Sequence, residues 1–189
     1  RLGLTFWIAQ ASLLVFSLMH LCELQAGRTG YGMQRMVVID PLGHLLALSA
    51  TLATMITMGF SRPYLASRDL LKGEFLSLAM FSLLGISVMV SANNFLVVYV
   101  GLELMSLSLY ALTALRRDHA VSTEAAMKYF ILGALASGFL LYGLSMMYGA
   151  AGTLDIPNVL EALHKGTVNP QVLVFGLVFI VAGLAFKLG

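Results

Sequence analysis

A glutamate and two lysines stand inside apolar runs, where a charged side chain is costly. Glu103 lies in LVVYVGLELMSLSLYAL, Lys128 in TEAAMKYFILGALASG and Lys187 in GLVFIVAGLAFKLG. An acid or a lysine at the centre of a bilayer costs roughly 2.5–3.5 kcal/mol even on lenient insertion scales, so it usually serves a function or a partner. Glu103 comes nine residues after Asn94, which at about 1.5 Å per residue puts it near mid-membrane. Its side chain is too short to reach water, and no basic residue lies within one turn of it on its own run. It reads either as a proton-exchanging or ion-pairing carboxyl, or as a carboxyl kept protonated by burial and making one structural hydrogen bond. The insertion cost favours the first. Lys128 follows Glu124 by four residues, the favourable order for a helical ion pair, and its long stem can reach the interface; path residue and surface pair both stand. Lys187 comes late in the last apolar run. If that helix continues beyond the sequence, it is a buried lysine, whose charged form is disfavoured by desolvation and which can load and release a proton. If the helix ends there, it is an interfacial anchor.

Six apolar spans must position these groups, at about 2–22, 41–61, 74–92, 94–115, 123–149 and 170–189. Each is long enough for an α-helix to cross a hydrocarbon layer of roughly 30 Å. Barrel strands would alternate apolar with polar residues, and these runs are apolar on every face. The expected fold is therefore an all-α, polytopic transmembrane helix bundle forming one membrane domain. All four prolines, Pro41, Pro63, Pro157 and Pro170, are read as lying in connections or at helix starts. Asp40-Pro41 and Asn169-Pro170 each read as an N-cap followed by proline at the first helical position. Asn93-Asn94 alone separates the third and fourth spans, which makes them a tight antiparallel pair. The pairs Gly133/Ser137 and Ala134/Gly138 have the spacing that lets a neighbouring helix approach closely, a packing feature without chemistry of its own. Segment 156–164 can form a short amphipathic helix; a loop lying over the bundle is the preferred reading.

Composition narrows the functional classes. The 189 residues are 59% apolar and 11% charged, against roughly a quarter charged in a soluble domain. A cytosolic enzyme, a nucleic-acid binder and a disordered segment are excluded, and a net charge of +2 does not call for a polyanion. The single cysteine, Cys22, excludes an internal disulfide and a cysteine metal cluster. His20, His119 and His164 fall at span ends or in connections and are read as solvated; His44, one turn into the second span, could join a polar path but has no partner evident in sequence. No histidine pair has metal-ligand spacing, and there is no phosphate loop, nucleophile motif or dinucleotide fingerprint. The chemistry left is the movement of ions. Arg1, Arg62, Arg68, Lys72, Arg116 and Arg117 fall on one side, and Arg28, Arg35 and Lys165 on the other. The excess puts the connections around 62–73 and 116–122 in the cytoplasm and loops 23–40 and 150–169 outside. The chain opens on Arg1, with no charged leader or cleavage site, and is expected to be part of a longer parent sequence.

The stretches NNFLVVYVGLELMSLSLYAL, STEAAMKYFILGALASGFLLYGLSMMYGAAGTLDI and GLVFIVAGLAFKLG, with VVIDPLGHLLAL before them, resemble the antiporter-like membrane subunits of proton-pumping NADH:quinone oxidoreductase, respiratory complex I, and among these the subunit N (subunit 2) type. The resemblance implies a fold of about fourteen helices in two inverted repeats, of which the six spans would be the second to seventh, the last being the first half of a broken helix. It implies that Glu103 is the glutamate of the fifth helix, Lys187 the proton-exchanging lysine of the broken seventh, and Lys128 a lysine of the sixth on the same path. It also implies no cofactor in this chain, with NADH, FMN, iron–sulfur clusters and quinone in other subunits. The partners would be the other membrane-arm subunits of a hetero-oligomer in a bacterial inner membrane. The eighth helix and the second repeat are not in the sequence. A cation/proton antiporter subunit, a membrane-bound hydrogenase subunit and a structural membrane scaffold with inert buried charges are the alternatives.

Overall fold

A computed structural model describes residues 2–188. Arg1, counted among the basic residues of one side, and Gly189, the last residue of the sixth span, lie outside it. Seven helices and one hairpin follow in chain order: α1 (Leu2–Ala26), β1 (Gly30–Gly32), β2 (Val37–Ile39), α2 (Pro41–Ala66), α3 (Gly73–Val90), α4 (Phe95–Thr113), α5 (Ala120–Ala151), α6 (Ile156–His164) and α7 (Pro170–Leu188). All but α6 are long and apolar enough to cross a membrane.

Local signals start and stop these helices. Asp40 accepts the Gly43 N–H at 2.7 Å ahead of Pro41. Asn94 accepts the Leu96 N–H at 2.9 Å, and Asn169 accepts that of Gln171 at 3.1 Å. Gly152 ends α5 in the left-handed region, φ 72°, which glycine adopts without penalty. Two expectations fail. Pro63 is inside α2, in its last turn, and the helix continues to Ala66; so close to the end, the N–H it lacks and the clash of its ring disturb only the final turn. Segment 156–164 is a helix and not a loop: Pro157 stands in its first turn, and Val159 is buried at 2% exposure. An exposed Lys165–Glu161 pair at 2.6 Å closes its last turn. That hydrogen bond and the lysine's charge hold the Glu161 carboxyl below the ordinary carboxylate range.

The hairpin β1–β2, antiparallel with Gly30 opposite Ile39, has no counterpart in the sequence reading. Its turn runs through Met33, Gln34 and Arg35 at φ 49°, 55° and 70°, a left-handed stretch that side chains resist. Contacts with the end of α3 hold it there. Asn93 donates from Nδ2 to the Arg35 carbonyl at 2.8 Å and from its backbone N–H to Met36 at 2.9 Å. Val38 donates to the Ser91 carbonyl at 2.8 Å.

Helices pack in two groups. Phe6, Ala9 and Leu13 of α1, Met58 of α2, and Leu76 and Leu83 of α3 form one apolar cluster; Leu102 of α4 with Leu140 and Leu144 of α5 forms the other, flanked by Ile180 and Leu184 of α7. The α3–α4 pair joins them at Gly85 and Gly101. A Cβ on Gly85 would stand 2.6 Å from the Gly101 carbonyl oxygen, and one on Gly101 would stand 2.8 Å from that of Gly85. Elsewhere the surface is apolar, as at Phe60, 82% exposed, which suits contact with lipid or further protein and not water. Hydroxyls in the spans donate to carbonyls one turn back, as Ser17 does to Leu13 and Thr51 to Ala47, which spares those donors exposure to an apolar medium.

Candidate functional site

Glu103 and Lys187 meet inside the second group. Glu103 stands nine residues after the Asn94 cap, on the face of α4 turned to α5 and α7. Lys187 is near the end of α7, whose approach to α5 is set by small residues. Gly143 lies against the Gly176 carbonyl, and a Cβ on Gly183 would stand 2.8 Å from the carbonyl oxygen of Ala136. The close approach brings the lysine onto the carboxylate: Nζ lies 2.8 Å from Glu103 Oε1, with the two side chains 8% and 20% exposed. Nζ also donates to Ser106 Oγ at 3.0 Å. Ser106 is one turn after Glu103 and passes its own hydrogen to the Leu102 carbonyl at 2.8 Å, which leaves its lone pairs for the lysine. From α5, the Ser137 hydroxyl donates to the same Oε1 at 2.5 Å. Three helices thus hold one carboxylate oxygen between an ammonium and a hydroxyl. Such a buried pair is stable only with this degree of hydrogen bonding, and loss of one partner leaves an uncompensated charge.

The expected site residues divide. Glu103 and Lys187, 84 positions apart, come together. Lys128 does not join them: it pairs with Glu124 at 2.6 Å, both side chains more than half exposed at 71% and 65%. Of the two close-packing pairs on α5, Gly133 and Ser137 are buried, while Ala134 and Gly138 face outward, with nothing within 4 Å of a Cβ on Gly138. Ser137 does carry chemistry, through its bond to Glu103. Ser106 could be found from its i+3 position relative to Glu103; Ser137, 34 residues away, had no sequence signal. His20 is not a solvated end residue. Its Nδ1 lies 3.0 Å from Nδ1 of His44, the partner that His44 lacked in sequence. Among the described residues, no group of three His, Cys, Asp or Glu is placed to hold a metal ion.

Known proteins resemble this chain along its whole length. The family model described as "NADH:quinone oxidoreductase/Mrp antiporter, TM" matches residues 92–189, the part that contains both members of the pair. A relative named NADH-quinone oxidoreductase subunit N in Polaromonas naphthalenivorans is 57% identical over the whole chain and 38% of its own length. One of the same name in Herminiimonas arsenicoxydans is 55% identical over 98% of the chain and 38% of its own length. A chain of respiratory complex I from Thermus thermophilus, solved with bound aureothin, superposes with a TM-score of 0.76 at 30% identity, over 97% of this chain and 39% of that one. The chain spans less than two fifths of the length of the curated relatives it matches.

Proposed function

The chain belongs to the NADH:quinone oxidoreductase/Mrp antiporter transmembrane family, and on that premise we propose that it is the proton-translocating first-repeat part of a subunit N in a bacterial NADH:quinone oxidoreductase. The observation that carries the reading is the Lys187–Glu103 pair, 2.8 Å long and nearly closed to solvent. A buried ammonium keeps its charge while a carboxylate lies within hydrogen-bond reach, and gives up its proton more readily once that carboxylate is withdrawn. Ser106 and Ser137 fix the starting geometry. A movement of α7 against α4 and α5 would open the pair and release the lysine's proton, and closure would reload it. Glu103 sets the lysine's hold on the proton, and Lys187 exchanges it. Lys128, paired with Glu124 at the bundle's outer face, joins the path only where a further helix covers that face. NADH, FMN, iron–sulfur clusters and quinone belong to other subunits of the hetero-oligomer, and the neighbours of this chain are membrane-arm subunits and lipid in the inner membrane. The family description also covers Mrp antiporters; relatives at 55–57% identity named as subunit N favour the oxidoreductase.

The test is Glu103→Gln in the full-length subunit, within its assembled complex in proteoliposomes, with NADH–quinone turnover and lumen acidification followed together. Acidification falls by about two orders of magnitude or more, the usual weight of a positioned proton-transfer group, while assembly is normal. Wild-type turnover and acidification in the variant would make Glu103 a structural carboxyl.

A further inference from the structure

The other ionisable pair lies in the first group of helices. His20 stands six residues before the end of α1 and His44 three after the start of α2, about 9 and 5 Å from the hairpin end of the bundle. Their Nδ1 atoms are 3.0 Å apart, the distance of an N–H···N hydrogen bond, so one ring carries its hydrogen on Nδ1 and the other on Nε2. Both Nε2 atoms are buried, and neither has a protein partner among the described residues. Burial of both calls for a partner on each, from water in an adjoining cavity or from protein packed on this face. With no third ligand beside them among the described residues, a metal ion is not the fit.

We propose that His20 and His44 form a proton relay at the hairpin end of the bundle, with the two Nε2 atoms as its ends. A proton arriving on the bare Nε2 of the first ring makes that ring an imidazolium. The bridging hydrogen then passes from its Nδ1 to Nδ1 of the second ring, which releases its own Nε2 hydrogen. One proton enters, one leaves, and the bridge persists with its direction reversed. Both rings line a cavity of about 260 Å³ with Asp40, Ser87 and Ser91, room for several waters at roughly 30 Å³ each. The charged groups around the pair are few. Asp40 keeps one oxygen on the Gly43 N–H. Glu23, one turn after His20, is paired with Arg28 at 3.3 Å. Arg35 of the hairpin lies over Tyr31. Ser87 of α3 and Ser91, just past its end, present hydroxyls that donate to carbonyls one turn back and so can accept from water. The direction of proton traffic rests on the function proposed above; the relay itself does not.

The full-length wild-type chain with 15N-labelled histidine gives the direct reading. A scalar coupling between two histidine Nδ1 nuclei is expected across the bridge, lost in both His20→Gln and His44→Gln; its absence from the wild type overturns the proposal. In the assembled complex, each single variant lowers acidification at fixed NADH turnover by about a hundredfold, the double variant is no worse than either single, and His119→Gln at the opposite end is unchanged. Wild-type acidification in both singles, or a double whose loss is the product of the two, overturns the relay. Glu103→Gln measured alongside separates the two ideas: its loss with intact histidine variants sinks the relay alone, and histidine losses with an intact Glu103→Gln sink the Glu103–Lys187 mechanism alone.

Discussion

Glu103 and Lys187 differ from the chain's other ion pairs in what surrounds them. The Arg117–Glu74 and Lys128–Glu124 pairs have side chains at least half exposed, and such pairs contribute about 0–1 kcal/mol. Removing one member of a buried pair instead costs about 3–5 kcal/mol, because the other is left charged without a partner. Lys187→Met should therefore lower the stability of the full-length protein in detergent by several kcal/mol, with Lys128→Gln within about 0.5 kcal/mol of wild type. Thermal unfolding of the two variants side by side checks this, and equal effects would mean that the Lys187 pair is as solvated as the surface one. Glu103 and Lys187 were legible in the sequence because a lone charge in an apolar run has so few explanations. Ser137 and the histidine pair were not, because an ordinary serine or a histidine near a helix end has many. Their role depends on what packs opposite, and a residue 24 or 34 positions away leaves no periodic trace.

Helices were legible because apolar runs of this length have one stable form in lipid. The elements that escaped were set by contacts between segments. The hairpin turn has no glycine at its left-handed positions, and its conformation is imposed by Asn93 and Ser91. α6 was seen as an amphipathic possibility but read as a loop, since nine residues are too few to be helical without a surface to lie on. The two small-residue pairs on α5 were equivalent as spacing, and only packing separates them. This yields a paired prediction. Gly183→Val should force α7 from α5, because its Cβ would meet the Ala136 carbonyl oxygen at 2.8 Å. It should also displace Lys187, one turn further on, from Glu103, with loss of both stability and proton transfer. Gly138→Ala on the open face should leave proton transfer unchanged and raise stability by up to about 1 kcal/mol through helix propensity. Thermal stability and acidification of both variants are the measurements, and a tolerated Gly183→Val would show that close α5–α7 packing does not hold the lysine in place.

Over the whole molecule, the two ionisable pairs, Glu103–Lys187 and His20–His44, occupy different helix groups joined by the α3–α4 contact. Basic residues at the end away from the hairpin, Arg62, Arg68, Lys72, Arg116 and Arg117, predict that this end is cytoplasmic. In a cysteine-free background of the full-length subunit that includes Cys22→Ser, Arg117→Cys should react with a membrane-impermeant thiol reagent only from the cytoplasmic side, and Arg28→Cys only from the other; the reverse pattern would invert the path. The central claim is that Lys187 works by giving up its proton and not only by neutralising Glu103. Lys187→Arg in the complete complex separates these roles, because a guanidinium keeps the ion pair but stays protonated. Normal assembly and stability with acidification collapsed at fixed NADH turnover is the predicted result. Wild-type acidification with arginine at that position would contradict the account and leave the pair as a structural bond.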